Sequence, residues 1–220
     1  MVVTHTAGFR HDSIPVAETI IAQLARTSGA FDVSFCRTAE DVRRMLTPAA
    51  LADVAAVVFA NTTGNLGVPD LNAFLGWIAA GRGFAGVHSA SDTYHDAPAY
   101  LEMLGNEFAT HGNQVDVNAV VENGAHPAVA HLGARYAVFD EIYRFARNNR
   151  GGVTPLLTLD RYPADGLEHA GEPGDLPLAW ARSYGAGRVF YTALGHREEL
   201  WRDQRFQQHI LGGIRAVLVP

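Results

Sequence analysis

Short apolar segments alternate with helix-patterned segments over the first 90 residues, and no other feature of this chain limits its fold as much. Val2 to His5 reads as a first strand. Ile14, Ala17, Ile21 and Leu24 then recur at helical spacing and share one buried face. Ser13 or Asp12 is placed to cap that helix, Pro15 suits its first turn, and Gly29 suits its end. Phe31 to Phe35 is a second strand and Ala39 to Leu46 a short helix. Val54 to Phe59 is a nearly continuous apolar run, as expected of a strand covered on both faces. Val68 to Ala80 is a helix with Leu71, Leu75 and Ile78 inward, and Gly83 to Val87 is the fourth strand. Repeated strand-helix-strand units imply a parallel sheet between two helical layers. The expected fold is an α/β three-layer sandwich with a mostly parallel sheet, spanning 1–220 as one domain. Its active groups should gather where strands end at their carboxyl edge, in His5 to His11, Asn61 to Asn65 and His88 to Asp92.

The second half is less regular. Ala97 to Leu104 reads as a helix and Gln114 to Glu122 as a strand. Asn123 to Pro127 is a turn, and Tyr136 to Ala146 carries Phe139-Asp140-Glu141-Ile142-Tyr143. Thr154 to Leu159, Leu178 to Ser183 and Arg188 to Ala193 are further strands, the last two a hairpin across Tyr184 to Gly187. Pro163 to Pro177, rich in Gly, Pro and acidic residues, is expected as a mobile surface loop. Phe206, Ile210, Ile214 and Val217 mark a closing amphipathic helix.

Composition narrows the function classes. The chain has 220 residues, 48% hydrophobic and 18% charged, with a net charge of -6, which fits a folded domain. Basic residues are scattered, so nucleic acid is not an expected partner. No apolar run reaches membrane-spanning length and no signal peptide is apparent, so no membrane association and a cytoplasmic location are expected. The single Cys36 rules out an internal disulfide and any multi-cysteine zinc site, and reads as a core residue. With ten His, a metal site would be built from imidazole and carboxylate.

The strand Gly83 to Val87 runs directly into His88-Ser89-Ala90-Ser91-Asp92. A strand-turn-helix corner of this kind projects one side chain into the crevice, and enzymes that use it usually place Ser or Cys there. Here the residue is His88, a base and a ligand rather than an acyl carrier. Ser89 sits one residue late for a replacement nucleophile.

Several strings resemble the trehalose-utilisation (ThuA-like) family: Thr6 to Ile14, Gly86 to Thr93, Phe108 to His111, His126-Pro127, Asp140 to Tyr143, Ala179-Trp180 and Gly187 to His196. They occur in order over nearly the whole chain. The resemblance implies a flavodoxin-like sandwich of the class I glutamine amidotransferase type and a link to disaccharide and keto-sugar catabolism. Amidotransferases pair an elbow cysteine with a late His-x-Glu. The late element looks similar here, as His196-Arg197-Glu198, but the elbow lacks a thiol, so glutaminase activity is not expected.

The candidate catalytic residues are His88, His196, Glu141 and Asp92. His196 leaves a strand through Gly195. Asp92 is expected either to orient an imidazole or to sit in a helix's first turn. Glu141 is the leading acid or base outside the histidines, with a solvated edge charge as the plain alternative. Arg10, His11, Asn61, Tyr143 and Trp201 are substrate-binding candidates, Trp201 by stacking on a sugar ring. Capping for the His11 segment and simple core packing for the tryptophan are the competing readings. His88, His111 and His196 form a candidate set for a divalent metal, zinc or manganese, drawn from three distant loops. No metal-binding spacing motif is present. His95, His131, His169 and His209 are expected mostly at the surface. The expected activity is that of a carbohydrate-catabolism enzyme acting on a sugar or keto-sugar by histidine acid-base chemistry, an isomerase or hydrolase. The alternative is a non-catalytic sugar- or partner-binding module. A small-molecule carbohydrate is the expected partner, and a homo-oligomer is compatible with the sequence.

Overall fold

The computed structural model describes residues 1–148 and 150–218. The first strands are β1 (Val2–Val3), β2 (Phe35–Cys36), β3 (Ala56–Ala60) and β4 (Gly83–Val87). Between them lie helices α1 (Ile14–Ser28), α2 (Ala39–Met45) and α3 (Leu71–Ala79). Helix α4 (Pro98–Leu104) and the short strand β5 (Phe108–His111) follow, then β6 (Val115–Val121), β7 (Arg135–Asp140), β8 (Tyr143–Phe145) and β9 (Thr154–Arg161). The chain closes through β10 (Pro173–Tyr184), β11 (Gly187–Thr192), α5 (Glu198–Arg202) and α6 (Gln204–Leu218).

The main sheet has the order β2-β1-β3-β4-β11-β10-β9-β6-β7, with β5 and β8 paired separately. The five strands from β2 to β11 are parallel, and the pairings beyond β11 are antiparallel. Only β10 and β6 run against the common direction, so the sheet is mostly parallel. Burial divides the apolar residues by face. Ala17 and Ile21 of α1, Trp201 of α5, and Phe206 and Ile210 of α6 pack on one side. Val42 of α2, Phe74 and Ile78 of α3, and Tyr100 and Leu104 of α4 pack on the other. This is the three-layer sandwich, because each helix buries its apolar stripe against a sheet whose central strands are buried throughout.

Local rules account for most boundaries. Gly29 ends α1 in the left-handed region, φ 60°. Thr38 and Asp41 form a reciprocal capping box on α2. Three expectations need correction. Ser13 occupies the cap position of α1 but makes no bond to that helix. Its hydroxyl instead reaches the carbonyl of Gly195, 3.3 Å away, and so ties α1 to a functional loop. Strand β10 begins at Pro173, so the loop expected up to Pro177 ends earlier. His209 is fully buried, with Nδ1 2.8 Å from the carbonyl of Ala128.

Candidate active site and metal centre

The corner after β4 forms as the sequence suggests. His88 has φ 52°, a left-handed conformation that is strained for a residue with a side chain and tolerated where surroundings enforce it. The enforcement is visible: Tyr191 donates its hydroxyl to the carbonyl of His88 at 2.7 Å, and Ser91 bonds the same tyrosine at 2.8 Å. The residues after the corner form a 3-10 helix, His88–Asp92. His88 is fully buried. Its Nδ1 lies 2.7 Å from the carbonyl of Ala193, and a carbonyl only accepts, so Nδ1 carries the proton. The lone pair of Nε2 therefore faces the crevice.

Around that lone pair stand groups from well-separated parts of the chain. Tyr143 donates its hydroxyl to His88 Nε2 at 2.9 Å. His196 Nδ1 lies 3.3 Å from the same nitrogen and 3.3 Å from Glu141 Oε1. Glu141 Oε1 is 3.6 Å from His88 Nε2. His11, in the loop after β1, packs edge-on against His88 and His196, with ring centroids 4.8 and 5.3 Å away. One ligand atom from each of His11, His88, Glu141 and His196 lies within 4.8 Å of the others. Three imidazoles and one carboxylate are a donor set suited to zinc or manganese, and three of the four residues are buried.

The electrostatics separate the histidines. Burial, reinforced by the neighbouring imidazoles, pushes His11 down to about 4 and His88 well below its ordinary value. Both are neutral at pH 7, the form that binds metals. Burial also works downward on His196, but the adjacent Glu141 carboxylate outweighs it and raises that imidazole.

A positioning network holds His196. Asp140 is fully buried at the end of β7 and accepts the backbone N–H of Gly195 at 2.7 Å and of Arg197 at 3.2 Å. Burial pushes its carboxyl up to about 6, against the pull of those N–H groups, so it stays ionised at neutral pH. On the other side of the loop, the carbonyl of Gly195 accepts from Asn61 Nδ2 at 2.9 Å and from the Trp201 indole at 2.9 Å. Gly195 itself has φ 124°, which only glycine adopts readily.

The sequence candidates divide accordingly. His88, His196, Glu141, His11 and Tyr143 are brought together. His111 is not in the four-residue cluster; it flanks it, with Nδ1 3.1 Å from Glu141 Oε2 and its side chain 44% exposed. Asp92 does orient an imidazole, but that of His95 at 2.6 Å rather than His88. Asn61 and Trp201 are fully buried and turned onto the Gly195 carbonyl, so neither offers a face to a substrate. Arg10 is exposed and lies outside the cluster. Glu198 pairs with Arg202 at 2.7 Å, so the carboxylate on His196 comes from Glu141 and not from the His-x-Glu element. Ser89 is buried, 3.4 Å from His11 Nδ1. Cys36 is buried in β2, its thiol pushed up to about 12 by burial, so it supplies no thiolate to the cleft. A larger groove of about 510 Å³ opens at the opposite edge of the parallel strands, among Phe31, Val33, Ala56 and Ile214, with no histidine in it.

Asp140 and its role escaped the sequence reading. Its signal was available: Tyr136, Val138 and Asp140 alternate with exposed residues along β7, which places the carboxylate on the buried face.

Comparison with known proteins agrees with this architecture. A putative ThuA-like protein from Bacteroides uniformis ATCC 8492 superposes with TM-score 0.79 at 22% identity, over 98% of this chain and 89% of that one. A second, from Parabacteroides merdae ATCC 43184, gives TM-score 0.77 at 19% identity over 99% and 88%. A protein from Thermoplasma acidophilum, described as a putative GMP synthase component, gives 0.55 at 11% identity over 98% and 92%, which relates the fold to amidotransferases. No curated protein matches the sequence significantly. The family profile described as ThuA, trehalose utilisation, matches residues 1–216, and the chain belongs to that family.

Proposed function

We propose that this protein is an enzyme of carbohydrate catabolism that acts on a sugar or keto-sugar of the trehalose-utilisation type. The observation that carries this reading is the convergence of the His88 Nε2 lone pair, the Glu141 carboxylate and the imidazoles of His11 and His196 on one point. Unshared electron pairs facing one another at this spacing in a buried site call for a cation between them, a proton or a metal ion.

His11, His88, Glu141 and His196 would hold a divalent ion, zinc or manganese, and that ion would polarise a hydroxyl or carbonyl oxygen of the sugar. The protein's own groups supply the rest. His196, raised by Glu141, is the proton donor; Glu141 is the matching acceptor. Tyr143 stays protonated, since burial holds its hydroxyl well above the ordinary range, and it orients His88 and presents a donor to the site. With imidazole at the elbow and Cys36 remote, there is no thiol to form an acyl intermediate, so glutaminase activity is not expected. Isomerisation and hydrolysis both suit an acid-base pair of this kind.

The test is turnover of keto-disaccharides and their parent sugars by the wild type and by His88→Ala, with glutamine as a control substrate. Sugar conversion that disappears in the variant supports the reading. No conversion by the wild type, or equal conversion by both, would sink it. A non-catalytic sugar-binding module is the second reading, favoured by the missing nucleophile at the corner. Calorimetry that finds sugar binding without chemical change would select it.

A further inference from the structure

The large hydrophobic side chains exposed among the described residues are Phe9, at 67%, and Phe139, at 42%. Both belong to one mouth. The Phe9 ring stands edge-on to the His11 imidazole, centroids 4.9 Å apart, and Phe139 lies under the Arg197 guanidinium at 4.8 Å. Phe9, His11, Gln114, His196, Arg197 and Glu198 line a cleft of about 290 Å³ that opens onto the histidine cluster.

An exposed phenylalanine usually needs no explanation. This one is held in place by its own backbone. Its carbonyl accepts the hydroxyl of Thr6 at 2.9 Å and that of Thr63 at 2.8 Å, and Ala7 and Gly8 bond the carbonyl of Thr63. The loop is thus pinned to the end of β3 while the aromatic ring is left bare. A rigid ring beside fixed polar side chains is the usual construction of a small-molecule site.

We infer that Phe9 is the stacking platform for an uncharged pyranose ring, whose hydroxyls are taken by Gln114, Arg197 and Glu198 across the cleft. A pyranose carries its hydroxyls around the rim and leaves C–H groups on its faces, so one face suits an aromatic ring. Arg197 is fixed by Phe139, by Gln114 Oε1 and by Glu199 at 3.0 Å. Asp12, Glu198 and Glu199 also line the cleft, and Arg197 is its one Lys or Arg. That balance disfavours a phosphorylated sugar and selects a neutral one. The inference rests on the carbohydrate reading of the site and adds where the ring sits and what charge it carries.

The experiment is saturation-transfer NMR on the full chain with trehalose, keto-trehalose, glucose 6-phosphate and sorbitol as probes. Sorbitol has comparable hydroxyls but no rigid ring face. In the wild type, saturation passes to the ring C–H protons of trehalose or its keto form, and sorbitol gives none. Phe9→Ala weakens that binding about tenfold or more, and Phe9→Trp retains it. Phe9 is exposed, so Phe9→Ala keeps the fold, and equal zinc uptake by variant and wild type confirms it. Binding by Phe9→Ala within about twofold of wild type would overturn the inference while leaving the carbohydrate reading intact. Tighter binding of glucose 6-phosphate than of the neutral sugars would also overturn it. Absence of binding by the wild type to any probe would overturn both. Sedimentation of both proteins covers the remaining occupant: a dimer abolished by Phe9→Ala makes the patch a homomeric interface and refutes the sugar platform.

Discussion

Asn61→Asp changes one buried atom and should destabilise the protein in a pH-dependent way. Asn61 is fully buried with φ 56°, a conformation that Asn and Asp tolerate alike, so the backbone has no reason to move. Its Nδ2 donates to the Gly195 carbonyl at 2.9 Å and to Ser13 Oγ at 3.1 Å. An aspartate turns the donor into an acceptor that faces a carbonyl oxygen. Losing two hydrogen bonds costs about 1 kcal/mol each, and an uncompensated buried charge about 3–5 kcal/mol. The charge dominates, so at pH 7.5 the variant should be less stable by about 4 kcal/mol. A buried carboxyl has its folded pKa raised above the unfolded value, so the protonated form is favoured in the fold and stability is lost as pH rises through the folded pKa. The deficit should therefore shrink by pH 5. Asn61→Ala, with no charge, should lose about 2 kcal/mol at both pH values. Urea unfolding followed by circular dichroism measures all of these. A deficit for Asn61→Asp below about 1 kcal/mol at pH 7.5, or one that does not depend on pH, would refute the assignment of Asn61 as the donor that fixes the Gly195-His196 loop.

Further outcomes are open to direct measurement. Tyr143→Phe removes the donor that occupies His88 Nε2; zinc affinity measured by competition should rise about fivefold, and a fall would show that the hydroxyl supports the site rather than competes for it. His209 is buried, and burial pushes it down to about 4. Its stabilising effect is complete above pH 6.5 and is lost as pH falls toward 4, amounting to about 3 kcal/mol; His209→Gln should flatten the denaturation midpoint against pH in that window, and an unchanged profile would contradict this. Gly213 lies where a Cβ would come 2.2 Å from the Phe190 ring. Gly213→Ala should lower stability by about 1–2 kcal/mol in urea melts, because overpacking outweighs the helix propensity gained.

The parallel half of the fold was legible because each apolar run there is nearly continuous and each helix carries an inward stripe, as in Val54 to Phe59 and in Ile14, Ala17 and Ile21. The corner at His88 was legible for the same reason: a buried strand that ends in small residues fixes where the next side chain points. Glu141 was nominated, but its route to His88 was not readable. It follows β7 at the far edge of the sheet, and only the order of the antiparallel strands brings the chain back through Tyr143. His11 and His111 could not be ranked as ligands, because each sits in a loop whose path depends on contacts distant in sequence, such as the Thr63 carbonyl that anchors Ala7 and Gly8. Trp201 follows His196 closely in the chain, yet the short turn of α5 points its indole into the core. His209 was hidden by its polarity. It lies three residues after Phe206, on the buried stripe of α6, where helical periodicity places it inside.

Metal stoichiometry across four proteins tests the central claim most directly: wild type, His11→Ala, His88→Ala and His111→Ala, each purified without chelator or nickel and analysed by elemental mass spectrometry. The four-residue site predicts about one equivalent of zinc or manganese in the wild type and in His111→Ala, and loss of that metal in His11→Ala and His88→Ala. A wild type without metal even after zinc loading, or a site that survives His11→Ala and fails in His111→Ala, would contradict it.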